Sequence, residues 1–274
     1  SRLSNLSVLD LSETDIKNIG GCTGLKYLSK VVLPTTVKTI KGEAFSGCIN
    51  LKDFDFSQII EIEYSGFYNC KSLTNIDAPN LKTIGSACFS LCSNLTSISA
   101  PKISDIPSNA FKNCSELSSF DFSNITSLGT GAFSDCSKLE SVNALNLKEV
   151  DHNSSSVGIF SRCSSLANVS LGNAITTIPN YMFEECTSLT KLEIPQSVKS
   201  IGYNAFADCP LNEINFPEGT TSIGGCLFGY HSVPLKKATI PSTIEYIAED
   251  AFNGCNSITD FYCYAAVPPE VTGF

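Results

Sequence analysis

The chain has no tryptophan, one methionine and only two histidines, His152 and His231, among its 274 residues. So thin a supply of imidazole leaves little for histidine-based acid and base chemistry or for zinc ligation. Cations are scarce too: 18 Lys and Arg stand against 27 Asp and Glu, a net charge of −9 with a pI near 4.7. That balance excludes the basic surface that tracks phosphates, so no nucleic acid is expected as a partner, and anionic membranes are disfavoured. No apolar run approaches the roughly 18 residues of a spanning helix, so this chain is not expected to insert directly into a membrane. The opening "SRLSNLSVLD" also lacks the basic start and apolar core of a signal peptide.

What the chain does have is rhythm. Phe45, Phe67, Phe89, Phe111, Phe133, Phe160, Phe183, Phe206, Phe228 and Phe252 recur at steps of 22 to 27 residues. Three residues after each stands a cysteine (Cys48, Cys70, Cys92, Cys114, Cys136, Cys163, Cys186, Cys209, Cys255), with His231 filling the slot once. Five residues before most of them stands an aliphatic such as Ile40, Ile62, Ile84 or Ile106, and three after most cysteines stands a leucine such as Leu51, Leu73 or Leu95. The unit reads I-x4-F-x2-C-x2-L-x2-I-x-L, often followed by Pro. Fixed-period self-similarity of this kind means stacked supersecondary units, none of which can bury its apolar face alone.

The end of the unit alternates apolar and polar residues, as a strand with one buried face does, and proline then stops the ladder. The I-x4-F-x2-C part is too short for a stable helix and rich in Gly, Ser and Asn, so it reads as turns, with one helical turn around F-x2-C. The expected fold is an α/β-type repeat solenoid, a right-handed coil with one parallel β-sheet of about twelve short strands and mostly irregular turn segments opposite. The strands centre on Leu9, Val31, Phe54, Ile76, Ile98, Phe120, Val142, Val169, Leu192, Ile214, Ala238 and Phe261. Residues 1–274 form a single domain of 22–23-residue repeats. Both ends cut the pattern in mid-repeat, with Phe274 lying 22 after Phe252, so a fragment of a longer array or protein is expected.

The stretches "IGYNAFADC", "IAEDAFNGCNSI", "IKGEAFSGCINL" and "LEIPQSVKSIG", with the ending "YCYAAVPPEV", resemble the BspA-type, or treponemal-type, leucine-rich repeat. The resemblance covers essentially the whole chain. It implies a leucine-rich-repeat fold and a cell-surface or secreted location, with members often adhesins that contact host proteins or other cells.

Repetition also accounts for the cysteines. Cys88 and Cys92 in "ACFSLC" form C-x3-C rather than C-x2-C, and Cys88 occupies the small-residue slot of Ala44, Ala110, Ala132, Ala205 and Ala251. Stacked coils would place neighbouring Cβ atoms about 4.8 Å apart, beyond the usual disulfide range. Free, buried thiols acting as small apolar fillers and weak donors to nearby carbonyls are expected. The insertion "DHNSSSVGIF" (151–160) should bulge on the turn side, either as a tolerated surface insertion or as a ligand contact by His152. His231 reads as a structural substitution.

The strand face is the most informative surface, and its small polar residues fit a ligand-binding face and an unused one equally. Residues flanking each strand centre point outward, and eight acids (Asp10, Asp53, Asp55, Asp77, Asp121, Glu193, Glu213, Asp260) face three lysines (Lys30, Lys191, Lys237). The candidate ligand-binding residues are Asp53, Asp55, Asn75, Asp77, Asp121, Lys191, Glu193, Glu213, Asp260 and Tyr262. Asp53, Asp55 and Asp77 on adjacent strands offer oxygen ligands to a divalent cation, beside the plainer reading as a solvated acidic strip; no metal or other cofactor is expected. Tyr262 is the one aromatic on this face, which argues against glycan stacking. Paired carboxylates on an open surface have nothing to separate their pKa values, and neither histidine has a Ser and Asp in register, so no catalytic residues are expected. The functional expectation is a non-enzymatic extracellular or cell-surface protein-interaction module, an adhesin that binds a host or neighbouring-cell macromolecule. A rigid spacer projecting another domain, and an accessory domain of an enzyme whose catalytic part lies elsewhere, are the alternatives.

Overall fold

The computed structural model describes residues 3–151 and 157–267 and the backbone of 270–272. Every strand pairing is parallel and one repeat apart: Leu9 faces Val31, Ile76 faces Ile98, and Val142 faces Val169. The expected front ladder forms at Val8–Asp10, Lys30–Val32, Asp53–Phe54, Asn75–Asp77, Ser97–Ser99, Ser141–Ala144, Asn168–Leu171, Glu213–Asn215, Lys237–Ile240 and Asp260–Cys263. The coils centred on Phe120 and Leu192, expected as strands, are not strands. At Phe120 the cause is size. Its ring stands 5.4 Å from Phe111 and 5.0 Å from Phe133, edge-on to the latter, and a ring in an isoleucine slot wedges adjacent coils apart. Phe54 fills the same slot between Phe45 and Phe67, and there too the ladder ends: Asp53–Phe54 pairs back to Lys30–Val32 but not forward.

The return side is more regular than its composition implies. Twelve further strands of two or three residues run from Asn18–Ile19 through Thr39–Ile40, Thr83–Ile84 and Ser200–Ile201 to Glu270–Thr272, forming a second parallel ladder in three sections, broken after Thr83–Ile84 and after Glu149–Val150. From Asn18–Ile19 to Tyr246–Ala248 each buries its Ile, Leu or Val, and β-branched Thr-Ile pairs suit a half-buried extended backbone.

Between the second ladder and the cysteine, the backbone makes a band of turns hydrogen-bonded from coil to coil. In the coil of Phe67, the N–H groups of Ser65, Phe67 and Asn69 donate forward to the carbonyls of Ser86, Cys88 and Ser90 at 2.9, 2.9 and 2.7 Å. The alternate N–H groups, of Gly66, Tyr68 and Cys70, close local turns on Glu63, Ser65 and Phe67. This alternation replaces the expected helical turn around F-x2-C. It requires left-handed backbone two residues before and after the phenylalanine, as at Ser65 and Asn69 (φ 51° and 58°) and at Asn109 and Asn113 (φ 58° and 60°). Asn, Asp and Gly tolerate that region, which is why they punctuate the band.

Inside, the ten phenylalanines form one column. From Phe45 to Phe206 successive rings are stacked at 5.3–6.1 Å with interplanar angles of 9–19°. All from Phe45 to Phe228 are wholly buried. Coil contact is close enough that a Cβ on Gly202, in "SIGYN", would meet the backbone of Pro179 and Asn180 in the preceding coil. Phe261, expected as a buried strand centre, is 48% exposed, since no following front strand covers Asp260–Cys263 among the described residues.

Candidate interaction face and the residues behind it

The front strands alternate as the repeat demands. Ile76 is buried while Asn75 and Asp77 are exposed, and Ile214 is buried while Glu213 and Asn215 are exposed. All ten candidate residues are exposed on this side. They do not converge on one point but form a strip along the array, and several are held by neighbours. Lys30 Nζ lies 2.9 Å from Asp53. Asn75 Oδ1 accepts the hydroxyls of Thr96 and Ser97, each at 2.8 Å. At the far end the Tyr262 hydroxyl donates to Asp260 at 3.3 Å, with the Lys237 ammonium 5.7 Å from the tyrosine ring centroid.

Asp55 and Asp121 have a local task. Each accepts the backbone N–H two residues on, Ser57 at 2.8 Å and Ser123 at 2.9 Å, and Asp10 does the same for Ser12. These turns end the front strand where other coils carry proline. The Ser123 N–H and hydroxyl hold the Asp121 carboxyl below its ordinary value. With Asp53 paired to Lys30 and Asp55 engaged in its own turn, the Asp53, Asp55 and Asp77 set is not a cation cage. No group of three or more His, Cys, Asp or Glu among the described residues is placed to hold a metal ion.

Behind this face lies the cysteine column. All thirteen cysteines are free, eleven of them buried. From Cys70 to Cys209, seven repeat cysteines donate their thiol hydrogen to the carbonyl of the phenylalanine one coil back, at 2.9–3.2 Å. Phe67 C=O thus accepts two donors, Cys70 N–H from its own coil and Cys92 S–H from the next. Burial pushes the Cys48 thiol up to about 11 and the Cys92 thiol up to about 12, so these two stay protonated and unreactive. Cys88 is fully buried in the alanine slot.

His231 leaves the column. Its side chain is 81% exposed and its Nδ1 lies 2.8 Å from Asp208. His152 lies outside the described residues. No sequence pattern points to Arg162, which follows the insertion and binds Asp135 at 2.6 and 3.0 Å, with Glu184 at 3.7 Å, linking three coils. Burial opposes both carboxylates. At Asp135 the Arg162 and Ser134 hydrogen bonds outweigh it and lower the pKa, whereas at Glu184 burial prevails and raises it. Also missed was a groove of about 650 Å³ on the strand side, bordered by Asn168, Ser170, Lys191, Glu193 and Asn215. Its signal would have been the absence of a strand at a regular position, which the repeat pattern conceals.

Parallel coils, a one-residue-in, one-residue-out strand face and a Phe and Cys interior define a leucine-rich-repeat solenoid. The chain belongs to the BspA type leucine rich repeat region family, which matches residues 22–140 and 153–268 in six copies. Its fold is similar to that of the pneumococcal vaccine antigen PcpA, at 20% identity over 88% of this chain and 69% of that one, with a TM-score of 0.54. A leucine-rich repeat protein from Bacteroides ovatus aligns at 20% identity over 97% and 92% of the two chains, with a TM-score of 0.47. A leucine rich cell surface protein from Faecalibacterium prausnitzii aligns at 20% identity over 95% and 80%, also with a TM-score of 0.47. Among curated proteins, none matches this chain by sequence.

Proposed function

We propose that the chain is an extracellular or cell-surface protein-interaction module, an adhesin whose front strand face contacts a protein on a host or neighbouring cell. The observation that carries this reading is the strip itself: exposed acids and small polar residues at regular spacing on a repeating ladder. A preformed surface loses little conformational entropy on binding, and its acidic field favours a basic partner surface. Family membership supports the same direction, since surface exposure and adhesion are what the repeat type implies.

The test is binding of the fluorescently labelled chain to intact cells. Saturable attachment is expected, abolished by prior protease treatment of the cells and weakened as salt rises from 50 to about 500 mM through the change in screening length. Non-saturable attachment, or attachment indifferent to the protease, would sink the reading.

A further inference from the structure

Cys226, in "IGGCLF", belongs to neither the cysteine column nor the alanine slot. It lies two residues before Phe228, and the equivalent positions in the flanking coils are Asn204, two before Phe206, and Asp250, two before Phe252. The ladder register, Ile201 beside Ile223 beside Ile247, sets the three side chains in one row. Cys226 is fully buried, and its sulfur lies 2.7 Å from Asp250 Oδ2. The hydroxyls of Tyr203 and Tyr230, 3.4 Å apart, both reach the same sulfur. Two further observations mark the spot as a place for a ligand. Asn204 Oδ1 is buried and has no hydrogen-bond partner. Gly225 leaves a cradle, since a Cβ there would run into Asp250 Oδ1 and stand 3.4 Å from the Tyr203 ring.

One sulfur and several oxygens in mutual contact form the donor set of a metal ion, with the phenols and an amide supplying what histidine usually does. The 3.4 Å between the two phenol oxygens is the edge of a tetrahedron whose metal–oxygen bonds are about 2.1 Å, within the range of zinc. Charge agrees with a divalent ion. A Cys226 thiolate and the Asp250 carboxylate supply two negative charges, and the phenols coordinate as neutral oxygens. The thiolate selects against the hard ions Mg²⁺ and Ca²⁺. We propose that Cys226, Asp250, Tyr203 and Tyr230 bind a zinc ion, with the Asn204 carbonyl as a further oxygen donor in the same row. On binding, the Cys226 S–H bond breaks, its proton leaves to solvent, and the sulfur moves to about 3.6 Å from Asp250 as the ion takes the place of the proton. Tyr230, 63% exposed, covers the sulfur and leaves the ion a path from solvent. His231 stays out of the set, held by Asp208 at 2.8 Å. The ion pins three consecutive coils, those of Phe206, Phe228 and Phe252, at the turn band.

The test is titration of the intact, reduced chain with Co²⁺ alone, followed by Zn²⁺. A single Co²⁺ should give a thiolate charge-transfer band and the intense visible bands of a tetrahedral ion, and Zn²⁺ should erase both. Cys226→Ser should abolish the charge-transfer band. Asp250→Asn, and separately the Tyr203→Phe, Tyr230→Phe double variant, should weaken Co²⁺ binding by about tenfold or more. Cys263→Ser, which removes the exposed thiol, should bind as the parent does. Zn²⁺ should also raise the unfolding temperature of the parent and of Cys263→Ser but not of Cys226→Ser. Should Cys226→Ser fail to fold, the isosteric Asp250→Asn carries the same comparison. No charge-transfer band, a band that survives in Cys226→Ser or is lost in Cys263→Ser, or unchanged affinity in Asp250→Asn or the tyrosine variant would each overturn the assignment.

Discussion

Phe111 shows what one residue contributes. It is fully buried, stacked on Phe89 and Phe133 at 5.6 and 5.3 Å, and touched by Phe120. Phe111→Ala is expected to cost about 3–5 kcal/mol, read from denaturant unfolding, with part of the loss absorbed if the array unfolds in segments. A loss near zero would mean the column is not packed. The thiols offer a second check. At neutral pH a thiol reagent should label Cys263, the exposed one, quickly, and reach all thirteen only on unfolding. Several fast thiols would contradict the burial. The column also predicts a pH dependence. Burial raises the thiols of Cys48 and Cys92 above the ordinary 9.0 when folded, to about 11 and about 12, so between those values the folded state holds protons that the unfolded chain has released. Stability from this source is fully present below about pH 9 and declines as pH rises through 11 and 12. Urea midpoints measured from pH 7 to 11 should be level at first and then fall; a rise above pH 9 would contradict the burial of the column. These residue roles were legible in advance, because a period of 22 or 23 assigns Phe and Cys to columns without any knowledge of backbone geometry.

At the scale of the element, sequence legibility divides by the kind of interaction. The front strands announce themselves by alternation, since every second side chain must be buried. The second ladder did not, because two-residue strands such as Thr83–Ile84 are too short to alternate, and only the recurrent β-branched pair hints at them. The turn band was least legible of all, because its pattern resides in main-chain hydrogen bonds and left-handed backbone that Ala87 and Leu91 (φ 54° and 62°) adopt as well as asparagine does. Those two positions carry strain that glycine would relieve. Ala87→Gly is expected to stabilise the chain by about 1 kcal/mol, the reverse of the usual cost of losing a Cβ. Thermal or urea unfolding that shows a loss instead would place Ala87 outside the left-handed region. The missing strand at Phe120 was hidden by the same regularity that revealed the rest: a ring and an aliphatic both fit an apolar slot, but the ring holds neighbouring backbones beyond hydrogen-bonding distance; the gap at Leu192 has no such ring.

For the whole molecule, a coil in contact only with its neighbours builds long surfaces, and function becomes a question of which surface is used. The acids were visible in the sequence as a strip; their individual duties were not. Pairing with Lys30, the Asx turn at Asp55 and the hydroxyl contacts at Asn75 depend on which side chains adjacent coils bring alongside. The decisive comparison is between two charge-matched triple variants in the cell-binding assay. Asp53→Asn, Asp55→Asn and Asp77→Asn neutralise the front strip while keeping an acceptor for the Ser57 turn. Glu61→Gln, Asp105→Asn and Glu149→Gln remove the same charge from exposed positions on the second ladder. Measured by saturation binding, the front variant should lose at least tenfold in affinity and the second-ladder variant should bind as the parent does. Equal losses in both, or an unimpaired front variant, would contradict the assignment of binding to the front face.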